Sequence, residues 1–329
     1  MSTLFKFHTN RHKIDNKYYL SDSVTVDAEP SDYLLATKNK HELDNRIKFQ
    51  DEGHIYWIDN NNIDIISCTT LIHSFAKEFE TDKIVSYICN SFNYKKNPNY
   101  KYYQIPAEDI KKMWIKEGKY ASDAGTLLHA DIEAFYNSKH ANNTSPEYIQ
   151  FLDFHQDHSH LKIYRTEWCI FLDTLKITGS VDAVFENPDG TLSIYDWKRS
   201  KEIKRTGYRG EHLKYPFDHL HDCNYSHYSL QLNLYREILE TRYGKTIKDM
   251  FIVVFHPNNE GSNYIKIKVH RMECEMRYLM TCRTRELTNI GYNLGYESSE
   301  YEFVIESEEE EEEEEEEYEK QKRLLPRGD

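Results

Sequence analysis

The chain of 329 residues lacks a segment that could cross or enter a membrane. Its main apolar run, Met250–Phe255, is far shorter than the roughly 18 residues that a membrane-spanning helix needs. The first residues, Met1–Phe7, also lack the apolar core of a secretory signal peptide. We therefore expect neither a secreted nor a membrane protein.

Cysteine and glycine are also used sparingly. The six cysteines are scattered without any C-x-x-C pair, so neither a zinc or iron–sulfur ligand set nor a small disulfide framework is indicated. We expect buried thiols in a reducing intracellular compartment, such as cytoplasm or nucleus. The 12 glycines form no glycine-rich phosphate loop, and no repeat of fixed period is present.

The acidity of the chain is concentrated at one end. The net charge is −14, but residues 300–329 hold 15 acidic and 4 basic side chains, including the unbroken run Glu308–Glu317. Residues 1–299 carry 38 basic against 41 acidic groups and are nearly neutral. Overall acidity therefore does not exclude an anionic partner, and the glutamate run itself predicts a disordered tail.

Four segments are predicted. Residues 1–45 are predicted to form an N-terminal arm, and residues 46–105 a small β-meander plus helix. Residues 106–299 are predicted to form the main core, and residues 300–329 the disordered tail. Strand-like runs at 47–49, 54–58 and 63–66 form the meander, Thr69 or Thr70 caps the following helix, and residues 90–103 read as a loop.

The main core shows alternating helical and strand patterns. Helices are predicted at 107–137, 225–243 and 273–289, and strands at 163–172, 177–185, 192–197, 251–255 and 264–269. This order predicts an α/β fold with a mixed β-sheet flanked by helices.

The most informative segment is a predicted hairpin over Gly179–Lys198. Its turn signal is Asn187-Pro188-Asp189-Gly190. With a loop over 188–190, Asp182 lies directly opposite Asp196; with a loop over Asp189-Gly190 alone the pairing slips by one residue and the carboxylates stay close. Facing carboxylates destabilise a sheet unless a cation lies between them, and Mg²⁺ is the simplest candidate.

Lys198 lies two residues beyond Asp196, on the same face of the strand. Its ammonium could approach a phosphate or a water held at a metal. A D-x-K sequence also arises by chance on many surface hairpins, so this motif alone is a weak signal.

Two helical motifs add to the hairpin. His129 closes the run Gly125–His129, where Gly125 would let the helix approach the sheet and Glu133, one turn later, could orient the imidazole. Gln231 and Tyr235 share a face of a later helix and could reach phosphate oxygens or Lys198. Each motif is more often structural than functional when it occurs alone.

In order along the chain, these motifs resemble the PD-(D/E)XK nuclease superfamily, specifically its RecB-like branch, which includes lambda-type exonucleases and RecB-type nucleases of CRISPR systems. The matching pieces are Gly125–His129, Glu167, Gly179–Asp182, Asp196–Lys198 and Gln231–Tyr235. The resemblance covers residues 108–270. The asparagine-rich hairpin followed by Thr69–Phe75 also resembles RecB-type proteins of giant DNA viruses, for which a viral factory is a further compartment.

The resemblance implies a restriction-endonuclease-like fold and a set of roles. His129, Asp182, Asp196 and the carbonyl of Trp197 would bind Mg²⁺ or Mn²⁺, and Lys198 would assist the attacking water. Glu167 would support the site or bind a second metal, with Gln231 and Tyr235 nearby. Some CRISPR-associated members hold an iron–sulfur cluster on four cysteines; here Cys274 and Cys282 have no third cysteine nearby, so we predict no cluster.

The segment after Lys198 is locally basic and predicts contacts with a phosphodiester backbone. The predicted DNA-binding side chains are Arg199, Lys201, Lys204, Arg205 and Arg209, with Tyr208, Tyr215 and Phe217 as candidates for stacking on unpaired bases. A solvated loop is the alternative. No base-reading motif is evident, which favours cleavage independent of sequence.

The sequence therefore predicts a Mg²⁺- or Mn²⁺-dependent DNA nuclease, most simply an exonuclease in repair, recombination or defence. The alternatives are a catalytically silent DNA-binding or scaffold subunit that works with a helicase, and a structure-specific endonuclease. Lambda-type relatives form rings, so a homo-oligomer is a further expectation, although no interface is identified. Polarity, strand preference and processivity are not specified by the sequence.

Overall fold

The computed structural model describes residues 34–50, 52–139, 141–259, 261 and 263–292. Most of the predicted arm and the whole acidic tail lie outside the described residues. The helices are α1 (Leu35–Lys38), α2 (Cys68–Ser74), α3 (Thr81–Asn90), α4 (Phe92–Lys96), α5 (Ala107–Tyr136), α6 (Pro146–Asp157), α7 (Asn224–Thr241) and α8 (Glu273–Asn289). The strands are β1 (Ile47–Gln50), β2 (Ile55–Ile58), β3 (Ile66–Ser67), β4 (Lys162–Leu172), β5 (Ile177–Glu186), β6 (Leu192–Lys198), β7 (Ile247–Val254) and β8 (Ile265–Val269).

The predicted mixed α/β fold with a flanked sheet is confirmed. Five strands follow the order β3-β5-β6-β7-β8, and β4 pairs with β5 beside this path. The β3–β5 and β6–β7 pairs are parallel, whereas β4–β5, β5–β6 and β7–β8 are antiparallel. The long core helices and strands begin and end within a few residues of their predicted bounds, because their apolar periodicity is sustained over several turns or strand repeats.

The predicted β-meander is wrong in its third strand. β1 and β2 form an antiparallel pair, but β3 leaves them and pairs with Ile177 and Thr178 of β5 in the main sheet. The apolar residues of β1 and β2 join the main core as well. β3 pairs over only two residues. Such a strand is too short to show the alternating apolar pattern from which a strand is predicted.

Several short elements also differ from the predictions. Ser67, rather than Thr69 or Thr70, caps α2 by accepting a hydrogen bond from the Thr70 amide (3.1 Å). The predicted loop at 90–103 contains α4, and α6 was not predicted. The part of the predicted arm at 34–45 packs onto β4, where Asp44 accepts hydrogen bonds from Arg165 (2.8 Å) and Trp168 (3.0 Å).

Helices cover both faces of the main sheet. Apolar side chains of α2, α7 and α8 pack with residues such as Val184 and Ile194 on one face. Those of α5 and α6 pack with residues such as Phe185 and Tyr195 on the other face. Side chains two residues apart on a strand point to the same face. Asp182 therefore points to the face of Val184, and Asp196 points to the face of Ile194. This is the face that α7 covers. No helix among the described residues is long and apolar enough to span a membrane.

One glycine allows α7 to approach the sheet closely. A Cβ atom on Gly179 of β5 would lie 2.5 Å from Cε1 of the buried Tyr235 ring and 3.1 Å from the Cys68 sulfur. Gly125, for which the sequence predicted such a role, is different: a Cβ there would meet only Arg199 Cβ at 3.9 Å, an ordinary contact. The close approach therefore occurs at Gly179, and the prediction for Gly125 is wrong.

We expect Gly179→Ala to destabilise the fold by about 1–3 kcal/mol, because the buried Tyr235 ring must shift to admit the methyl group. Thermal unfolding followed by circular dichroism measures the change. Gly118→Ala, in α5 with open space around its Cα, is the matched control and should raise the free energy of unfolding by up to about 1 kcal/mol. Equal melting temperatures for Gly179→Ala and the wild type would contradict the close approach.

Candidate metal and catalytic site

The site forms where β5 and β6 separate. β6 pairs with β5 only from Ala183↔Tyr195 to Glu186↔Leu192, while β3 pairs with the start of β5 at Ile177 and Thr178. Residues 179–182 therefore have no ladder partner on this side of β5 among the described strands. Asp182 and Asp196 are the next pair after Ala183 and Tyr195, which confirms the predicted hairpin register.

Side chains replace the missing ladder at Trp197. The Trp197 amide donates a 2.7 Å hydrogen bond to Oδ2 of Asp182, and the Trp197 carbonyl lies 2.9 Å from Nε2 of His129. The amide and carbonyl of one strand residue point to the same side, so both groups face the gap left by β5. A buried peptide group without a partner is costly, and Asp182 and His129 therefore hold β6 in place as well as lining the site.

Glu167 of β4 brings a third carboxylate to the same place. The pairs Thr166↔Ala183 and Trp168↔Val181 put Glu167 opposite Asp182. Its backbone has a positive φ of 42°, which is uncommon for a residue with a side chain. Its carboxylate lies 3.3 Å from Nδ1 of His129 and accepts a 3.1 Å hydrogen bond from the Ser180 hydroxyl. Acidic residues of three adjacent strands thus lie side by side.

Asp196 and Lys198 form a buried pair on β6. Lys198 Nζ forms an ion pair with Asp196 Oδ2 at 2.7 Å, and neither oxygen of Asp196 has another hydrogen-bond partner among the described residues. The Asp196 side chain is only 1% exposed. Lys198 also lies over the ring of Tyr228 in α7, 4.9 Å from its centroid. The Asp196 carboxylate is therefore buried with Lys198 as its one partner among the described residues.

Burial and mutual charge control the protonation of these groups. Burial, reinforced by Asp182, raises the pKa of Asp196 to about 7 despite the nearby Lys198. Burial likewise raises the pKa of Asp182, although the positive charges of His129 and Lys198 oppose the shift. Burial alone would lower the pKa of His129, but Asp182 and Glu167 outweigh it and raise this pKa to about 9. The site as a whole attracts positive charge.

The residues fit a divalent cation. His129, Glu167 and Asp182 each offer a ligand atom, and these atoms lie within 4.8 Å of one another. The Asp196 carboxylate, which is paired only with Lys198 among the described residues, adds oxygen ligand atoms beside this group. Carboxylate, carbonyl and water oxygens suit Mg²⁺ and Mn²⁺. Glu167 thus belongs with the predicted ligands His129 and Asp182, whereas Asp196 contacts Lys198, and the Trp197 carbonyl contacts His129.

The predicted helper residues have different partners. Glu133 does not orient His129, whose partners are Glu167, Asp182 and the Trp197 carbonyl; that expectation is wrong. Gln231 donates a 2.7 Å hydrogen bond to the Tyr235 hydroxyl rather than reaching Lys198. Gln231 and Tyr235 therefore bond to each other, and neither forms a hydrogen bond with Lys198 among the described contacts.

The predicted basic loop contains both buried and exposed side chains. Arg199 is buried, and its Nε lies 2.7 Å from a carboxylate oxygen of Glu147 in α6, so its charge is not available to a DNA phosphate as predicted. Phe217 is also buried, against Phe75, and cannot stack on bases as predicted. The exposed basic side chains of the loop are those of Lys201, Lys204, Arg205 and Arg209.

Three contributors were missed from the sequence. Tyr228 lies at i−3 and i−7 from Gln231 and Tyr235, a helical spacing that could have placed it on the same face of α7. Ser180 and the Glu147–Arg199 pair gave no such signal, because each acts through a partner distant in the chain.

The chain has only distant similarity to known proteins. No protein-family model matches the chain, and no curated protein matches it. Among solved structures, the chain is similar to a crystal structure of SSO0001, with 13% identity over 68% of this chain and 77% of that one and a TM-score of 0.29. It is also similar to an alkaline exonuclease (LHK-Exo) from Laribacter hongkongensis, with 8% identity over 75% and 94% of the two chains and a TM-score of 0.32. At these identities and TM-scores, neither similarity bears on the activity of this chain.

We expect Asp196→Asn to raise the stability of the metal-free protein above pH 7. The folded protein holds the Asp196 proton more tightly than the unfolded chain does, so stability falls as pH rises from about 4 to about 7. Asparagine removes this penalty, and the melting temperature at pH 8 in EDTA should rise by roughly 2–4 °C, with a smaller gain at pH 5.

Asp182→Ala is the contrasting variant in that experiment. It leaves the Trp197 amide without its acceptor and should cost about 1–3 kcal/mol at either pH. A melting temperature for Asp196→Asn below that of the wild type at pH 8 would show that the ionised carboxylate stabilises the fold and would contradict this prediction.

We expect Mn²⁺ to raise the melting temperature of the wild type, because a ligand that binds only the folded state stabilises it. At 100 times the dissociation constant the gain is about 2.7 kcal/mol. Glu167→Gln and Asp182→Asn should lose most of this shift, since each removes a charged ligand. Glu133→Gln, on α5 one turn after His129 but outside the ligand group, is the control and should keep the shift. A full shift in Glu167→Gln and Asp182→Asn would place the metal elsewhere.

Proposed function

We propose that this protein is a nuclease that hydrolyses phosphodiester bonds in DNA with the help of Mg²⁺ or Mn²⁺. The observation that carries the proposal is the row of acidic residues on three adjacent strands, Glu167, Asp182 and Asp196, with a buried lysine beside it. Such a row is unfavourable in a sheet unless it serves to bind a cation. The family resemblance of these motifs supports the same chemistry.

The metal would be held by His129, Glu167, Asp182 and Asp196, with the Trp197 carbonyl close by. When bound, a divalent cation polarises a phosphoryl oxygen and lowers the pKa of a bound water. Glu167 and Asp182 are kept in position by Ser180 and by the Trp197 amide, respectively, so that the ligand atoms are arranged before any substrate arrives.

Lys198 supplies the second functional charge. Burial opposes its charged form, but Asp196 and Asp182 outweigh burial and raise the pKa of Lys198, so that the ammonium persists at neutral pH. A fixed positive charge in a site shielded from water can stabilise the negative charge that builds up on the phosphoryl oxygens during attack. Tyr228 and Asp196 hold this ammonium between them.

The exposed cations of the loop after β6 give the site its affinity for a polyanion. Lys201, Lys204, Arg205 and Arg209 would contact phosphates without reading bases, which favours cleavage independent of sequence. An exonuclease in repair, recombination or defence remains the form of the activity that we favour, and a helicase partner and a homo-oligomer remain predictions.

We expect Asp182→Asn, Asp196→Asn and Lys198→Met to lower the rate of DNA cleavage by at least about 100-fold, because each removes a charge that acts on the phosphoryl group. Release of labelled nucleotides from a linear duplex with Mg²⁺ or Mn²⁺, and with EDTA, measures the rate. Asp189→Asn, on the turn of the same hairpin, is the matched control and should keep the wild-type rate.

Two outcomes would alter the proposal. Wild-type cleavage by Asp196→Asn would contradict the site, and absence of cleavage by the wild type on linear and single-stranded DNA would favour a silent DNA-binding subunit. A covalently closed circular substrate separates the two forms of activity, because an exonuclease needs an end whereas an endonuclease does not.

A further inference from the structure

A few tyrosines of the described residues have exposed rings, and three of these rings have arginines over them. Within the described residues, only four tyrosines are more than about a third exposed: Tyr87 (56%), Tyr120 (68%), Tyr208 (61%) and Tyr215 (42%). They lie on α3, on α5 and in the loop between β6 and α7. The other described tyrosines are buried or half-buried, so these four are the ones whose rings are most accessible to a partner.

Arginines lie against three of these rings. Arg209 has its guanidinium carbon 5.3 Å from the ring centroids of both Tyr87 and Tyr208. Arg199 lies 5.4 Å from the ring centroid of Tyr120. In the same loop, Arg205 lies 3.9 Å from the ring centroid of Tyr225. We call Tyr87, Tyr120, Tyr208, Arg205 and Arg209 the arginine–tyrosine surface.

The exposed cations of this surface keep their charge available. Arg205 and Arg209, and the neighbouring Lys201 and Lys204, are exposed, and none of them forms an ion pair with a carboxylate of the described residues. An aromatic ring holds a guanidinium in place without neutralising it. The surface therefore combines flat apolar rings with unneutralised positive charge.

The loop that carries the surface is tied to its neighbours. The Lys214 amide donates to the Phe75 carbonyl (2.8 Å), and the Lys77 amide donates to Asp222 Oδ2 (2.8 Å). Arg209 adopts a positive φ of 56°, a conformation that costs free energy in a residue with a side chain. The loop thus holds Arg209 between two rings at some conformational cost.

The surface begins beside the proposed catalytic lysine. Arg199, which supports the Tyr120 ring, directly follows Lys198 and is fixed by its buried ion pair with Glu147. Tyr120 lies on α5, the helix that also carries His129. Tyr87 is linked to α5 through the ion pair between Asp82 of α3 and Lys111 (2.6 Å).

We propose that the arginine–tyrosine surface binds single-stranded DNA and delivers an unpaired strand to the site. The inference rests on the proposed function and names its substrate class. The faces of bases are free for stacking only when the bases are unpaired, and stacking on aromatic side chains tolerates every base. The unneutralised cations hold the phosphates between the stacked bases. A duplex would meet the cations but offer no base faces to Tyr87, Tyr120 and Tyr208.

The test is DNA binding by the full chain in EDTA, measured by fluorescence anisotropy without cleavage. The probes are a labelled oligo(dT) strand, a blunt hairpin duplex, and a strand of the same length in which abasic sites replace the bases. Oligo(dT) should bind on the order of tenfold more tightly than the other two probes. Tyr208→Leu and Tyr120→Leu should each weaken oligo(dT) binding on the order of tenfold and leave binding of the abasic strand unchanged.

Control variants separate stacking from charge and from folding. Tyr208→Phe should bind as the wild type does, because the ring remains. Phe92→Leu removes an exposed aromatic ring that has no arginine stacked over it among the described residues, and it should leave binding unchanged. Arg209→Gln should weaken binding of all three probes and make the salt dependence for single strands shallower by about 0.7 in log–log slope.

Equal affinity for duplex and single strand, or equal loss of oligo(dT) and abasic binding in Tyr208→Leu, would overturn the inference. Loss of self-association in Tyr208→Leu during sedimentation, with DNA binding intact, would do the same and identify a protein interface. Because binding is measured in EDTA, these outcomes are independent of cleavage. If single strands bind as expected while no substrate is cut, the proposed nuclease activity fails and the surface stands.

Discussion

The site depends on the separation of β5 and β6 at Trp197. There the backbone ladder ends, and the Trp197 amide and carbonyl are bonded instead to the side chains of Asp182 and His129. The same two side chains are then fixed beside Glu167, which belongs to the next strand across the sheet. The buried peptide groups of Trp197 need hydrogen-bond partners, and this need brings together the side chains that could bind a cation.

This arrangement has an electrostatic cost. Three carboxylates lie together in a poorly hydrated place, where burial raises the pKa values of Asp182 and Asp196. Lys198 and His129 only partly offset the negative charge, and the Asp196 carboxylate has no hydrogen-bond donor other than Lys198 among the described residues. Sites in which stability is lost in this way are commonly functional, because the bound ligand or ion restores the missing interactions.

Neighbouring basic residues of the segment from Lys198 to Arg209 have different partners. Lys198 faces α7 and the carboxylates, Arg199 turns to the other face and pairs with Glu147 of α6, and Arg205 and Arg209 lie in the exposed loop. Alternation along β6 explains the first difference, since successive side chains point to opposite faces. The chain after β6 then leaves the sheet, which exposes its cations.

The sequence by itself determined the features that depend on local pattern. Sustained periodicity specified the long helices and strands, and the turn at Asn187–Gly190 specified the register that sets Asp182 opposite Asp196. Only the tertiary structure decided which partner each group found: β3 with β5 rather than β2, His129 with Glu167 rather than Glu133, and Arg199 with Glu147 rather than solvent. These contacts join residues far apart in the chain, and their energies depend on burial and on competing partners, neither of which a local pattern of residues can encode.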